Sequence, residues 1–133
     1  MSEGEPVLDA TRRQLERVLA SQCFSRNERL SRFLRFIVDR RLEGKDCEIK
    51  ETVLAVEVFG RAANYDPKQD SIVRTEAARL RARLNEYYRG SGKSDALVIE
   101  MPKGGYVPEF RLLEPETLLW EGTDPRPQRR TFL

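Results

Sequence analysis

The sequence contains no histidine. That removes the commonest metal ligand and the usual general base near neutral pH. Only two cysteines are present, Cys23 and Cys47. They are too few and too far apart for a zinc motif, and two buried thiols are expected. Scarce cysteine and the lack of a recognisable signal peptide point to a reducing, cytoplasmic setting. Long apolar runs are missing as well. A stretch such as "TVLAVEVF" falls far short of the roughly 20 residues a membrane helix needs, so no membrane partner is expected. An excess of one charge is also nearly absent, because 24 basic against 22 acidic side chains leave +2. Electrostatic preference must therefore come from how charge is distributed. With 39% hydrophobic and 35% charged residues, the 133-residue chain is rich enough in apolar side chains to build one core and argues against disorder.

The carboxylates Glu48, Glu51, Asp66 and Asp70 form no evident catalytic pair, and there is no phosphate loop or metal-ligand spacing. No enzymatic activity, cofactor, metal or small-molecule substrate is expected.

Residues 1–10, with "MSEGEPVL", read as a flexible arm, and residues 11–112 as the folded domain. Residues 113–133, rich in proline and charge, read as an extended or partly ordered tail that Leu118, Leu119 and Trp120 could pin. Within the domain, Thr11 and Gln14 have capping-box spacing ahead of Leu15, Val18 and Leu19, which predicts a helix to Ser21. In "SRNERLSRFLRFIVDRRLEG", Ser25 and Glu28 read as a second capping box. Leu30, Phe33, Leu34, Ile37 and Val38 form an apolar stripe, and Gly44 supplies the stop. "IKETVLAVEVFG" suits a strand or a helix. "RAANYDPKQD" is a loop. Asp70 or Ser71 caps a long helix reaching about Tyr88. "LVIEM" and "YVPEF" around "PKGG" read as a hairpin over 97–111, with Pro102 and Pro108 at unpaired edge positions. The expected fold is mainly α with a small β-hairpin.

The long helix carries "IVRTEAARLRARL". On a helical wheel Val73, Ala77, Leu80, Leu84 and Tyr87 share an apolar sector, while Thr75, Ala78, Arg79, Ala82 and Asn85 lie opposite. Arg74 and Arg81 occupy one shoulder, Glu76 and Arg83 the other. Five arginines against Glu76 and Glu86 leave residues 71–89 with three excess positive charges. Small residues between long cations let a helix sit deep in a groove about 12 Å wide, with arginines at base edges or phosphates. A solvated surface helix is the plainer alternative, although Arg79 and Arg83 repel and Glu76 balances one of them at a time. The hairpin that follows has the cationic tip Lys103-Gly104-Gly105-Tyr106. Two shorter helices, a basic helix and such a hairpin make a winged helix-turn-helix arrangement.

"VRTEAARLRARL" followed by "VIEMPKGGYVPEF" resembles the DNA-binding half of OmpR/PhoB-type response regulators. Ala77, Leu80-Arg81 and Arg83-Leu84 match that family's recognition-helix pattern, and Gly105-Tyr106 its wing. A closer likeness is to the N-terminal winged-helix domains of bacterial regulators with TolB-like or tetratricopeptide sensor regions, and it covers about residues 24–110. The resemblance favours helix over strand for 49–59. It departs from the OmpR type where a helix replaces the small sheet ahead of the first helix, and no receiver domain is present.

The resemblance implies binding of double-stranded DNA and control of transcription, with the recognition helix about 71–88 in the major groove and the wing about 97–111 on the backbone or minor groove. Thr75 and Arg79 are the expected base contacts, while Ala78 and Ala82 permit close approach. Arg74, Arg81 and Arg83 are assigned to phosphates, and Lys103 and Gly104 to the wing tip. Tyr106 belongs either to that surface or to the core, and Arg81 either to phosphate or to the helix–hairpin junction. A homodimer is a further expectation, because operators are usually read by pairs. The helix at 11–21 and Leu118–Trp120 are its candidate contacts, unless both simply close the core. The competing reading is a winged-helix module that docks an acidic protein through the same arginines.

Overall fold

The computed structural model describes residues 5–112. The elements run α1 (Glu5–Ala20), α2 (Gln22–Ser25), α3 (Glu28–Leu42), a 3-10 turn (Asp46–Glu48), α4 (Glu51–Glu57), α5 (Ile72–Arg89), β1 (Leu97–Glu100) and β2 (Glu109–Leu112). The chain is mainly helical with one small antiparallel sheet. Among the described residues no helix is long and apolar enough to cross a membrane.

Helix α1 begins at Glu5, so residues 5–10 are helical where a flexible arm was expected. Pro6 lies in the first turn, where the missing amide costs no hydrogen bond. Thr11 is consequently no cap. It is fully buried inside the helix, in line with Leu15 and Val18 at i+4 and i+7. Ser25 does not cap α3 either, because it closes the short α2. The cap is Asn27, whose Oδ1 accepts from the Leu30 amide at 3.0 Å. The predicted stripe Leu30, Phe33, Leu34, Ile37 and Val38 is wholly buried. Gly44 takes φ +75° just past the helix, a left-handed position that favours glycine.

The ambiguous segment is helical. Its α4 buries Leu54 and Ala55 against the neighbouring helices, and Phe59 beyond it meets Phe33 edge-on at 5.2 Å. Helix α5 buries Val73, Ala77, Leu80, Leu84 and Tyr87, the sector expected of it. Core side chains from α1, α3, α4, α5 and β1 form one cluster. Each fully buried leucine or phenylalanine contributes roughly 1.5–3 kcal/mol.

The hairpin pairs Leu97 with Leu112, Val98 with Arg111, Ile99 with Phe110 and Glu100 with Glu109. Its second strand starts after Pro108, not at Tyr106 as expected, because Pro108 has no amide to donate to the ladder. The connection is therefore a long loop over 101–108, in which Gly104 takes φ +80°. The like-charged pair Glu100–Glu109 is relieved by Arg111, which reaches Glu100 at 2.7 Å.

A polar network fastens α1 to the end of α5. Gln14 and Arg17 donate to Asp95 at 2.8 and 3.0 Å, and the Tyr87 hydroxyl donates to the same carboxylate. Burial alone would raise the Asp95 pKa, but the bonds from Gln14, Tyr87 and Arg17 outweigh it and hold the carboxyl below its usual range. Burial, then Asp95, pushes the Tyr87 hydroxyl well above the ordinary tyrosine value. Tyr88 donates to the Leu97 carbonyl at 3.1 Å and accepts from the Ile99 amide at 3.0 Å.

The cysteines correct an expectation: Cys23 is half-buried and Cys47 exposed, neither being a core thiol. Cys47 lies in the 3-10 turn, which buries none of its residues. The tail positions Leu118, Leu119 and Trp120 lie outside the described residues.

Candidate nucleic-acid interface

Helix α5 has two long faces. With its apolar sector sunk in the core, Ser71 at its cap and Arg74, Thr75, Ala78, Arg79, Ala82, Arg83, Asn85, Glu86 and Arg89 are left exposed. Along the middle of this surface run Ser71, Thr75, Ala78, Ala82 and Asn85, none of them bulky. Six of the expected contact residues (Arg74, Thr75, Ala78, Arg79, Ala82 and Arg83) are thus brought onto one exposed surface, and Asn85 joins them.

The cations are held rather than loose. Arg74 donates to Glu51 Oε2 at 2.7 Å and to the Pro67 carbonyl at 2.9 Å. Arg79 donates to Glu76 at 3.1 Å and Arg83 to Glu86 at 3.3 Å. All three remain about half exposed or more, so each keeps donors facing water. The Arg83–Glu86 pair, exposed on both sides, contributes about 0–1 kcal/mol and exchanges readily for a stronger anion, whereas Arg74 and Arg79 rest on the more covered carboxylates of Glu51 and Glu76.

Arg81 differs. It is half-buried, donating from Nε to the Pro102 carbonyl at 3.1 Å and from Nη2 to the Gly105 carbonyl at 3.0 Å. The guanidinium fork spans the loop of the hairpin and ties it to α5. Of the two roles named for it, these contacts are those of the helix–hairpin junction, with two of its five donors committed to the loop's carbonyls. On the same side, the half-buried Tyr106 places its hydroxyl 3.4 Å from Glu51 Oε1. Burial, then Glu51, raises its pKa. Lys103 and Gly104 are exposed at the loop's tip, and a cleft of about 510 Å³ opens between α5 and the hairpin, lined in part by Asn85, Met101, Lys103 and Arg111.

Two acidic residues, to which the sequence assigned no role in recognition, organise this surface. Glu51, at the start of α4, gathers Arg74, the Tyr65 hydroxyl at 3.2 Å and the Tyr106 hydroxyl. It links α4, the 61–70 loop, α5 and the hairpin. Glu76, expected on an open shoulder, is a buried carboxylate with a side chain only 4% exposed. The start of α5 is also set by side chains: Asp70 Oδ1 accepts from the Ile72 amide at 3.0 Å, while Ser71 makes no side-chain cap. The hydrogen bond from Arg61 at 2.8 Å is the chief reason the Asp70 carboxyl titrates below its usual range.

Comparison with protein-family models, with curated proteins and with solved structures yields no match to this chain.

Proposed function

We propose that the chain binds double-stranded DNA as a winged helix-turn-helix domain and acts in transcriptional control inside the cell. In this reading α3 and α4 support α5, α5 enters the major groove, and the 97–112 hairpin is the wing. The observation that carries it is the composition of α5's outer face: a strip of Ser71, Thr75, Ala78, Ala82 and Asn85 bordered by half-exposed arginines, with Lys103 projecting beside it. Small side chains bring the helix backbone close to base edges, and guanidinium groups on the borders meet phosphates.

Ser71, Thr75 and Asn85 are the hydrogen-bonding groups on the strip and so the readers of sequence. Ala78 and Ala82 allow approach and can meet thymine methyl groups. Arg79 reaches a base edge from the border of the strip, Arg74, Arg83 and Lys103 bind phosphates, and Arg81 fixes the wing. The resemblance to OmpR/PhoB-type domains gives the same assignment of helix and wing.

The test is a titration of labelled duplex at several salt concentrations. Binding through several phosphates weakens with a log–log slope of about −0.9 per contact. Ala82→Glu, on an exposed position in a good helix context, leaves the melting temperature within a degree or two and abolishes binding, because it puts a carboxylate into the groove. A wild-type chain that ignores random duplex even at low salt refutes the reading and favours docking to an acidic protein. Selection from a random duplex pool then supplies the preferred operator.

A further inference from the structure

The wing and Arg81 occupy one shoulder of α5. On the other shoulder lies Glu76, whose Oε2 accepts from Arg79 at 3.1 Å and from Arg29 of α3 at 3.5 Å. A buried carboxylate is costly unless paired, so Glu76 fixes both guanidinium groups in place. The two arginines remain 64% and 57% exposed. They are therefore neighbours anchored on their inner side and open to solvent on their outer side. One negative charge faces two positive ones, which leaves a net positive pair held in a set geometry. Two guanidinium groups that share one carboxylate present their remaining N–H donors to a second anion, and a phosphate accepts from both.

We propose that Arg29 and Arg79, oriented by Glu76, form a phosphate site for the DNA strand on the side of α5 away from the wing. This rests on the duplex-binding reading and adds α3 to the contact surface. Arg79 is then a backbone ligand and not the base reader its outward position first suggested. The wing grips one flank of the groove and α3 the other, so the orientation of α5 in the groove is set from both sides.

The experiment uses the full 133-residue chain and a duplex selected by it from a random pool. Arg29→Ala should reduce the log–log salt slope by about 0.9, the loss of one phosphate contact. Arg41→Ala, an arginine near the far end of α3 paired with Asp46, should leave it unchanged. Arg29→Lys keeps a cation beside Glu76 and should restore the slope. A scan with single neutral methylphosphonates should then find one backbone position that weakens the wild type several-fold and weakens Arg29→Ala, which keeps only Arg79 there, markedly less. An unchanged slope in Arg29→Ala, no rescue by lysine, or no methylphosphonate position coupled to residue 29 would each overturn the site. All three presuppose a wild-type chain that binds duplex, so its failure to bind is a separate result, refuting the function itself.

Discussion

Replacing Arg81 by lysine keeps the charge and removes the fork. In the structure Nε and Nη2 reach two different carbonyls, Pro102 and Gly105, at 3.1 and 3.0 Å. One ammonium on a flexible stem satisfies one of these in that geometry, and the other carbonyl returns to water. A hydrogen bond from a charged donor contributes about 1.5–3 kcal/mol when well buried. Both carbonyls belong to a loop that is only partly covered, so a loss of about 1 kcal/mol in the local stability of the hairpin loop is the reasoned figure. Hydrogen exchange of the amides between 101 and 108 should accelerate by about fivefold, a 1 kcal/mol change in local opening. The fold as a whole should lose less. In duplex binding Arg81→Lys should blunt the effect of Lys103→Ala, since a loosened tip no longer presents Lys103 at a fixed place. The two changes should couple by about 0.5–1 kcal/mol in a double-mutant cycle. Wild-type exchange in the loop together with strict additivity would refute the clamp. A salt slope reduced by Arg81→Ala but kept by Arg81→Lys would show instead that Arg81 meets phosphate.

Two further predictions concern what holds this surface in place. Asp95→Asn should destabilise the chain by about 2–3 kcal/mol at pH 7 in urea titrations, because the Tyr87, Gln14 and Arg17 donors lose a charged acceptor whose side chain is only 8% exposed. The folded pKa of Asp95 lies below its unfolded value, so its contribution is complete above the unfolded pKa and is lost as pH falls through the folded one. The wild type should therefore lose stability below about pH 4 more steeply than Asp95→Asn, and parallel acid limbs would contradict this. Gly92→Ala should cost about 1–3 kcal/mol in thermal or urea unfolding, since a methyl group there would stand 2.1 Å from the fully buried Tyr87 ring. Unchanged stability would mean that the ring shifts freely.

The parts of the fold that were legible are those written in local periodicity. The stripe on α3 and the apolar sector of α5 announce which side faces inward, because a helix brings residues three and four apart onto one surface whatever lies opposite. The outward strip from Thr75 to Asn85 follows from the same rule, and with it most of the candidate contact surface. Element ends were harder. Ser25–Glu28 and Asn27–Leu30 both satisfy a capping pattern, and only the existence of α2 decides between them. Pro6 reads as a breaker until it is placed in a first turn, the one part of a helix that tolerates it.

What a periodic pattern omits is the neighbour across the gap. Glu76 lies 47 residues from Arg29, and Glu51 lies 55 residues from Tyr106. Neither separation corresponds to a helical or strand repeat, so an acidic residue among arginines reads as charge balance when it is in fact a bracket. The difference matters for recognition. Arginines on an unsupported helix face lose side-chain entropy on binding a phosphate, up to about 2 kcal/mol each. Arginines already fixed on Glu51 and Glu76 have lost part of it in folding. A surface with a net charge as small as this chain's can therefore hold a polyanion through placement instead of excess charge. Glu76→Gln tests that logic: it adds a positive charge to the interface, yet by releasing Arg29 and Arg79 it should weaken binding to a selected duplex. Tighter binding would show that charge count, and not orientation, governs the contact.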